Sequence, residues 1–150
     1  MTTVGGRNWR RGLTLVELVA VILIVGILAA IAIPIMSGRV VSAKWSEGKA
    51  IMGTIAAAIR FYAAEKNKRI DDMAAVNIFS SNGLGFEPGD LSGAYFEDGD
   101  FLIKSGLFDP ETNTLEFVVR ANRPLNSGIA YPDAWELDQN GNWEEIAGGP

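Results

Sequence analysis

The 150-residue chain contains no cysteine and no histidine. Without cysteine there are no disulfide bonds, thiolate metal sites or cysteine nucleophiles. Without histidine the chain lacks the commonest general base, the serine–histidine–acid triad and most sets of zinc ligands. The remaining carboxylates, amines and hydroxyls show no catalytic or phosphate-binding pattern. We therefore predict that the protein is not an enzyme and has no catalytic residues, cofactor or metal site.

Charge is missing from one long stretch of the chain. The 21 residues from Leu18 to Gly38 carry no charged side chain. As a helix, residues 18–36 would span roughly 29 Å, about the thickness of the hydrocarbon core of a bilayer. The core helix of a soluble protein rarely stays uncharged over this length, so the stretch predicts a membrane-spanning helix.

A secretory signal peptide is the alternative interpretation of this stretch. Arg7, Arg10 and Arg11 would form its basic region, and residues 30–32 would form a small-residue cleavage site. The apolar stretch is longer than the usual core of a signal peptide, however, and it contains Glu17. The numbers of Lys and Arg on the two sides of the span are equal, which leaves its orientation open.

Glu17 is the unusual residue of the apolar segment. A carboxylate costs on the order of 2.5–3.5 kcal/mol at the centre of a membrane helix and less near its end. A residue with this cost usually has a partner or a neutralising proton. Simple solvation among the lipid headgroups is the alternative for Glu17.

Residues 10–18 read Arg-Arg-Gly-Leu-Thr-Leu-Val-Glu-Leu and resemble the prepilin motif of type IV pilins and type II secretion pseudopilins. In that family a basic leader ends in glycine, a membrane aspartyl peptidase cuts after it, and the new N-terminus is methylated. The resemblance implies cleavage between Gly12 and Leu13 and N-methylation of Leu13, an apolar replacement for the more usual phenylalanine. It places the family's acidic residue on Glu17 and its helix-breaking residues on Gly26 and Pro34.

These implied roles agree with the chemistry of the residues. Cleavage would leave a positive amine on Leu13, and the Leu13 amine of a neighbouring subunit is a candidate partner for Glu17 that would fix the axial register. Pairing within one subunit competes, because residues 13 and 17 are i,i+4 neighbours. Gly26 weakens a helix and Pro34 lacks an amide donor, so this segment is predicted to unwind when subunits pack. A simple kinked membrane helix is the alternative.

The helical pattern continues beyond the membrane segment to about Lys66. Apolar residues recur at helical spacing and predict one stripe that packs on a small sheet: Val41, Trp45, Gly48, Met52, Ile55, Ile59 and Tyr62. Residues 39–69 hold seven Lys and Arg against two acids, whereas residues 70–150 hold 15 acids against three. This asymmetry suggests attraction between the helix of one subunit and the head of another, with two solvated faces as the alternative.

The C-terminal part predicts an antiparallel sheet of three to five strands. Residues 71–93 are turn-rich, with at most a short helix near 72–79. A weak strand at Tyr95–Phe96 precedes better ones at 101–108 and 115–121, which a turn joins. Asn140-Gly141 indicates a second hairpin, which sets Leu137 opposite Trp143 and puts Gly141 in the left-handed region. Asp138-x-Asn140-x-Asn142 has alternating oxygen ligands, but Trp143 breaks the pattern of a calcium loop, so we predict a hydrated turn.

The predicted fold class is α+β, with a long N-terminal, partly transmembrane α-helix packed on a small antiparallel head, as in type IV pilins. The predicted organisation is a leader (1–12), a transmembrane assembly helix (13–38) and a periplasmic or extracellular head (39–150). The resemblance implies a filament subunit that waits in the inner membrane and then polymerises at the cell surface. Its implied partners are identical subunits, a prepilin peptidase/methyltransferase and inner-membrane assembly machinery, with no nucleic acid. The alternatives are a type II secretion pseudopilin and a bitopic binding protein that never polymerises.

Overall fold

The computed structural model describes residues 14–147, with the side chains of residues 33–35 left out. One helix, α1 (Leu15–Lys66), occupies the N-terminal part of the described chain. The chain divides into two compact units, residues 1–38 and residues 39–150, and α1 contributes to both. The predicted leader and its boundary at residue 12 lie outside the described residues.

The N-terminal unit exposes its apolar side chains. Those of Leu15, Val25 and Met36 are 77%, 57% and 60% exposed, and the other large apolar side chains described between residues 15 and 32 are similarly open. Within the described part of the chain, α1 is the one helix long and apolar enough to cross a membrane. These side chains therefore need lipid or other helices to cover them.

The second unit contains a four-stranded antiparallel sheet. Its strands lie in sequence order, because short connections join neighbours: β1 (Phe101–Asp109), β2 (Thr114–Asn122), β3 (Ala134–Asp138) and β4 (Trp143–Ile146). The core face of β2 carries alternating buried residues, Phe117, Val119 and Ala121, as the sequence pattern predicts. One helix with a small antiparallel sheet confirms the predicted α+β fold class.

The predicted apolar stripe of the helix is buried in the second unit. Trp45, Met52, Ile55 and Ile59 are at most 3% exposed and belong to one core cluster with the inner face of the sheet. Gly48 is also buried, while Val41 and Tyr62, at the two ends of the stripe, are half-buried. The helical spacing in the sequence therefore identified the core-facing side correctly.

The second hairpin has the predicted register. Leu137 pairs with Trp143, and Gly141 adopts φ +85°, in the left-handed region that favours glycine. The predicted short helix near residues 72–79 is a single 3₁₀ turn, Met73–Ala75, capped by the side chain of Asp72. Both elements follow the local turn chemistry that the sequence displays.

The predicted strand at Tyr95–Phe96 was wrong. Both residues lie in an irregular segment, and their backbone N–H groups donate to the carboxylate of Glu47 rather than to a neighbouring strand. The Phe96 side chain is fully buried and its ring centroid lies 5.1 Å from that of Trp45. The apolar and aromatic character that suggested a strand therefore reflects a core anchor.

Two glycines of α1 provide a matched pair for testing this core. A Cβ added to Gly48 would lie 2.7 Å from Cζ of the buried Phe96 ring, whereas a Cβ on Gly53 would meet open space. Alanine raises helix propensity equally at both positions, so the difference isolates packing. We expect Gly48→Ala to be less stable than Gly53→Ala by about 1–3 kcal/mol. Denaturant unfolding of the full chain in micelles, followed by near-UV circular dichroism, measures this, and equal stabilities would contradict the packing.

Candidate assembly site

Thr14 and Glu17 form a capping box at the start of α1. The Thr14 backbone N–H and hydroxyl donate to Glu17 Oε2 at 2.9 and 3.0 Å, and the Glu17 N–H donates to Thr14 Oγ1 at 3.2 Å. Because α1 begins at Leu15, Thr14 is the N-cap and Glu17 is the third helical residue. The helix dipole also favours a carboxylate in this first turn. The segment that resembles a processing motif therefore also starts the helix.

Sequence reasoning missed this local partner of Glu17. From the sequence we expected the Glu17 carboxylate to pair with the Leu13 amine or to be solvated. Thr-x-x-Glu before an apolar run is, however, a known signature of a helix N-cap. Both bonds to the Glu17 carboxylate use Oε2, and no described residue donates to Oε1. Gly12 and Leu13 lie outside the described residues, so cleavage, methylation and the Leu13 pairing stay predictions.

Gly26 and Pro34 lie within α1, which is continuous from Leu15 to Lys66. A Cβ built on Gly26 would have no atom within 4 Å outside its own stretch of helix backbone, so this side of the helix is open. Small residues let helices approach closely in membranes. Kinking or unwinding between these two positions on assembly stays a prediction.

Basic residues in the second half of α1 contact their own head. Lys44 Nζ donates to the Ser127 carbonyl at 2.7 Å, and Arg60 Nη2 donates to the Gln139 carbonyl at 3.1 Å. Lys49 Nζ lies 3.2 Å from the ring centroid of Trp135, within cation–π range. Burial lowers the pKa of Lys49, and the charge of Glu145 opposes this shift. Much of the positive charge that suggested attraction between subunits is therefore used within one subunit.

Glu47 fastens the irregular segment after residue 93 to the helix. Its carboxylate accepts three consecutive backbone N–H groups, from Ala94 at 3.0 Å, Tyr95 at 2.8 Å and Phe96 at 3.0 Å. Partial burial raises the pKa of Glu47, but the hydrogen bonds from Tyr95, Phe96 and Ala94 outweigh it and hold the pKa below its ordinary value. A Cβ on Gly93 would overlap this carboxylate, so the contact requires glycine there.

Glu136 is the buried acid of the sheet. Its side chain is 8% exposed and forms ion pairs with Lys104, at 2.8 Å, and with Arg120 on the neighbouring strand. Burial raises the pKa of Glu136, and the bonds from Lys104 and Arg120 lower it further than burial raises it. Three strands are thus joined by one carboxylate, and removal of both Lys104 and Arg120 would leave a buried charge without a cationic partner.

The Asp138 turn satisfies its carboxylate internally. The backbone N–H groups of Asn140 and Asn142 donate to Oδ1 at 2.8 Å, and the Asn142 side chain donates to Oδ2. These bonds, those from Asn142 first, hold the pKa of Asp138 below its ordinary value. Among residues 14–147 no three acidic side chains are grouped to hold a metal ion. The carboxylate of this turn is thus held by donors of the turn itself.

Comparison with known proteins identifies the N-terminal segment. Residues 10–33 match the family model described as the prokaryotic N-terminal methylation motif. This is the prepilin-type signature of type IV pilins and pseudopilins. The motif points to a structural protein processed by a prepilin peptidase, and with the apolar helix it fits a membrane-anchored precursor. No curated protein and no solved structure matches the chain.

The Glu47 contact predicts how the stability of the head depends on pH. Because its pKa is lower in the folded state than the ordinary 4.5, Glu47 stabilises the fold above that pH, and this contribution is lost as pH falls through the folded-state pKa. We expect Glu47→Gln to flatten the acid side of the stability profile, measured by denaturant unfolding of the full chain between about pH 6 and pH 2.5. Glu65→Gln, an exposed change on the same helix, is the control. An unchanged acid slope in Glu47→Gln would refute the role of this contact.

Proposed function

We propose that this protein is a structural subunit of a type IV pilus-like filament that polymerises through its N-terminal apolar helix. The observation that carries the proposal is an exposed apolar helix that begins, with a capped turn, inside the methylation motif. Such a helix is covered by lipid in the precursor and by the helices of other subunits in a filament. The head, residues 39–150, would then form the outer surface.

Processing is compatible with the start of the helix. A cut between Gly12 and Leu13 would remove residues 1–12, including three arginines. Thr14 and Glu17 both lie beyond the cut, so their capping box survives it. The precursor would sit in the inner membrane, where a prepilin peptidase/methyltransferase cuts it and methylates Leu13 before the assembly machinery takes it up.

Glu17 would serve two purposes in the mature subunit. Oε2 accepts the capping bonds, which leaves Oε1 to accept a bond from the methylated amine of a neighbouring Leu13. A charge pair in an apolar helix bundle offsets the cost of burying each charge and has one favourable axial position. Glu17 would thereby set the register of the filament.

A type II secretion pseudopilin is the second candidate, because the matched motif is common to both classes. The chain has no cysteine, whereas many pilins staple the C-terminal region with a disulfide. A pseudopilin would use the same cleavage and the same helix packing in a short periplasmic filament. Its subunits would stay in the cell envelope rather than reach the surface.

The register role of Glu17 predicts an assembly defect that loss of the helix cap does not reproduce. Glu17→Val should still insert into the membrane but assemble poorly, because loss of one buried interfacial charge partner costs about 2–5 kcal/mol. Thr14→Ala is the matched control, since it removes the cap at a cost of about 0.5–2 kcal/mol and keeps the carboxylate. Immunoblots of sheared filaments and of membranes measure both quantities.

The two variants separate the explanations. Normal filament yield from Glu17→Val would contradict a register role. Equal losses in Glu17→Val and Thr14→Ala would assign the effect of Glu17 to the start of the helix instead.

A further inference from the structure

A groove of about 510 Å³ lies on the second unit, between the segment before β1 and the loop between β2 and β3, residues 123–133. Lys44 connects its two walls, because Nζ donates to the Ser127 carbonyl at 2.7 Å and lies 5.1 Å from the ring centroid of Tyr95. The base of the 123–133 loop is closed by an ion pair between Arg123 and Asp133 at 2.8 Å. The groove therefore has walls that are held in place.

The lining of the groove combines two carboxylates with apolar surface. Glu97 and Asp100 flank one 3₁₀ turn, and the Glu97 N–H donates to Asp100 Oδ2 at 2.8 Å. Tyr95, 43% exposed, and Leu125, 96% exposed, line the same groove. An arginine side chain pairs its guanidinium with carboxylates, stacks it on aromatic rings and packs its stem on apolar surface. The groove therefore has the chemistry of an arginine-binding site.

The carboxylates of the groove are not neutralised by their own chain. Within the part of the chain that the structure describes, neither Glu97 nor Asp100 forms an ion pair. Lys44 donates to a backbone carbonyl rather than to either acid. Asp98, in the same turn, adds a third carboxylate, which accepts bonds from the Leu91 N–H and the Ser92 hydroxyl at 3.1 Å. The balance of charge around the groove is negative.

Four of the five arginines of the second unit bond to their own head. Arg60 donates to the Gln139 carbonyl, Arg69 pairs with Asp71 and Asp109, Arg120 pairs with Glu136, and Arg123 pairs with Asp133. The fifth, Arg39, is exposed and forms no hydrogen bond or ion pair with any other residue that the structure describes. The second unit thus has one free arginine and one groove suited to arginine.

Arg39 is accessible to another molecule. Ala43, Ser46 and Ala50 follow it at helical spacing and are exposed, whereas Trp45 of the core stripe is buried. Arg39 therefore lies on the face of α1 that is turned away from the sheet. Its neighbours on this face are small, so they leave room for the surface of a second head.

We propose that this groove binds the Arg39 side chain of a second copy of the chain, with the guanidinium on the carboxylates of Glu97 and Asp100. This inference rests on the proposed function and names one contact between heads in the filament. A parallel copy displaced by five helical residues, about 7.5 Å, brings its Arg39 level with Lys44 of the first copy. Repeating the same displacement adds further copies without closing the assembly, as a filament requires.

The absence of cysteine makes a direct test possible, because two introduced cysteines report one contact. We would co-express two full-length forms of the chain, Ala43→Cys with an added epitope tag and Asn126→Cys without it, and oxidise the sheared filaments. Ala43 lies one helical turn after Arg39, and Asn126 lines the groove. We expect a mixed disulfide-linked dimer, identified by its size. Thr112→Cys, in the β1–β2 turn, replaces Asn126→Cys in the control and should give no mixed dimer.

Charge variants test the ion contact itself. Arg39→Glu in the Ala43→Cys form should lower the yield of the mixed dimer about tenfold, the factor given by the weakest couplings measured for close charge pairs at an interface. Glu97→Arg in the Asn126→Cys form should then restore much of the yield, because opposite charges face each other again. Lys68→Glu, the same change of charge at another exposed residue, is the matched control and should leave the yield unchanged.

The other outcomes are distinct. Filaments that contain both forms but no mixed dimer would overturn the Arg39 contact and leave the filament role intact. A mixed dimer whose yield ignores Arg39→Glu would show that the heads are close without this ion contact, which also overturns the proposal. A chain that forms no filament would overturn the proposed function, and this inference with it.

Discussion

The large apolar side chains of α1 described between Leu15 and Met36 are exposed, and this exposure is the physical constraint on which the protein depends. Burial of apolar surface is the dominant favourable term in folding and association, so the helix must be covered by lipid or by other helices. One charged residue, Glu17, lies in this part of the helix, and the Thr14 cap satisfies one of its carboxylate oxygens. The same segment is therefore compatible with a membrane and with a helix bundle.

The head is held together without covalent cross-links. Its core is the stripe of the helix packed with the sheet, and two carboxylates join elements that are distant in sequence. Glu47 fixes the irregular segment before the sheet to the helix, and Glu136 joins β1, β2 and β3. Both acids have a lowered pKa in the folded state, so the head depends on their ionised forms. Lys44, Lys49 and Arg60 of the helix also contact this head.

Features with local causes were predictable from the sequence. The stripe from Trp45 to Ile59 follows from helical spacing, and the Leu137–Trp143 pair follows from the Asn-Gly turn. The prepilin signature is a continuous stretch of sequence, so residues 10–18 alone were sufficient to identify it.

The strand predicted at Tyr95–Phe96 was wrong for a non-local reason. The backbone N–H groups of both residues donate to Glu47, which lies more than 40 positions away in the chain. The attachment of the 123–133 loop by Lys44 was equally invisible to local patterns. The Thr14 cap, by contrast, has a local signature in the sequence, the Thr-x-x-Glu spacing of Thr14 and Glu17, and could have been predicted.

The proposed function requires that the chain is cut after Gly12 and assembles by α1. Mass spectrometry of the subunit in sheared surface filaments tests it most directly, because it reports the N-terminus and its modification in the assembled state. We expect a dominant species that begins at N-methylated Leu13. A mature protein that retains residues 1–12 and is found only in the membrane would contradict it.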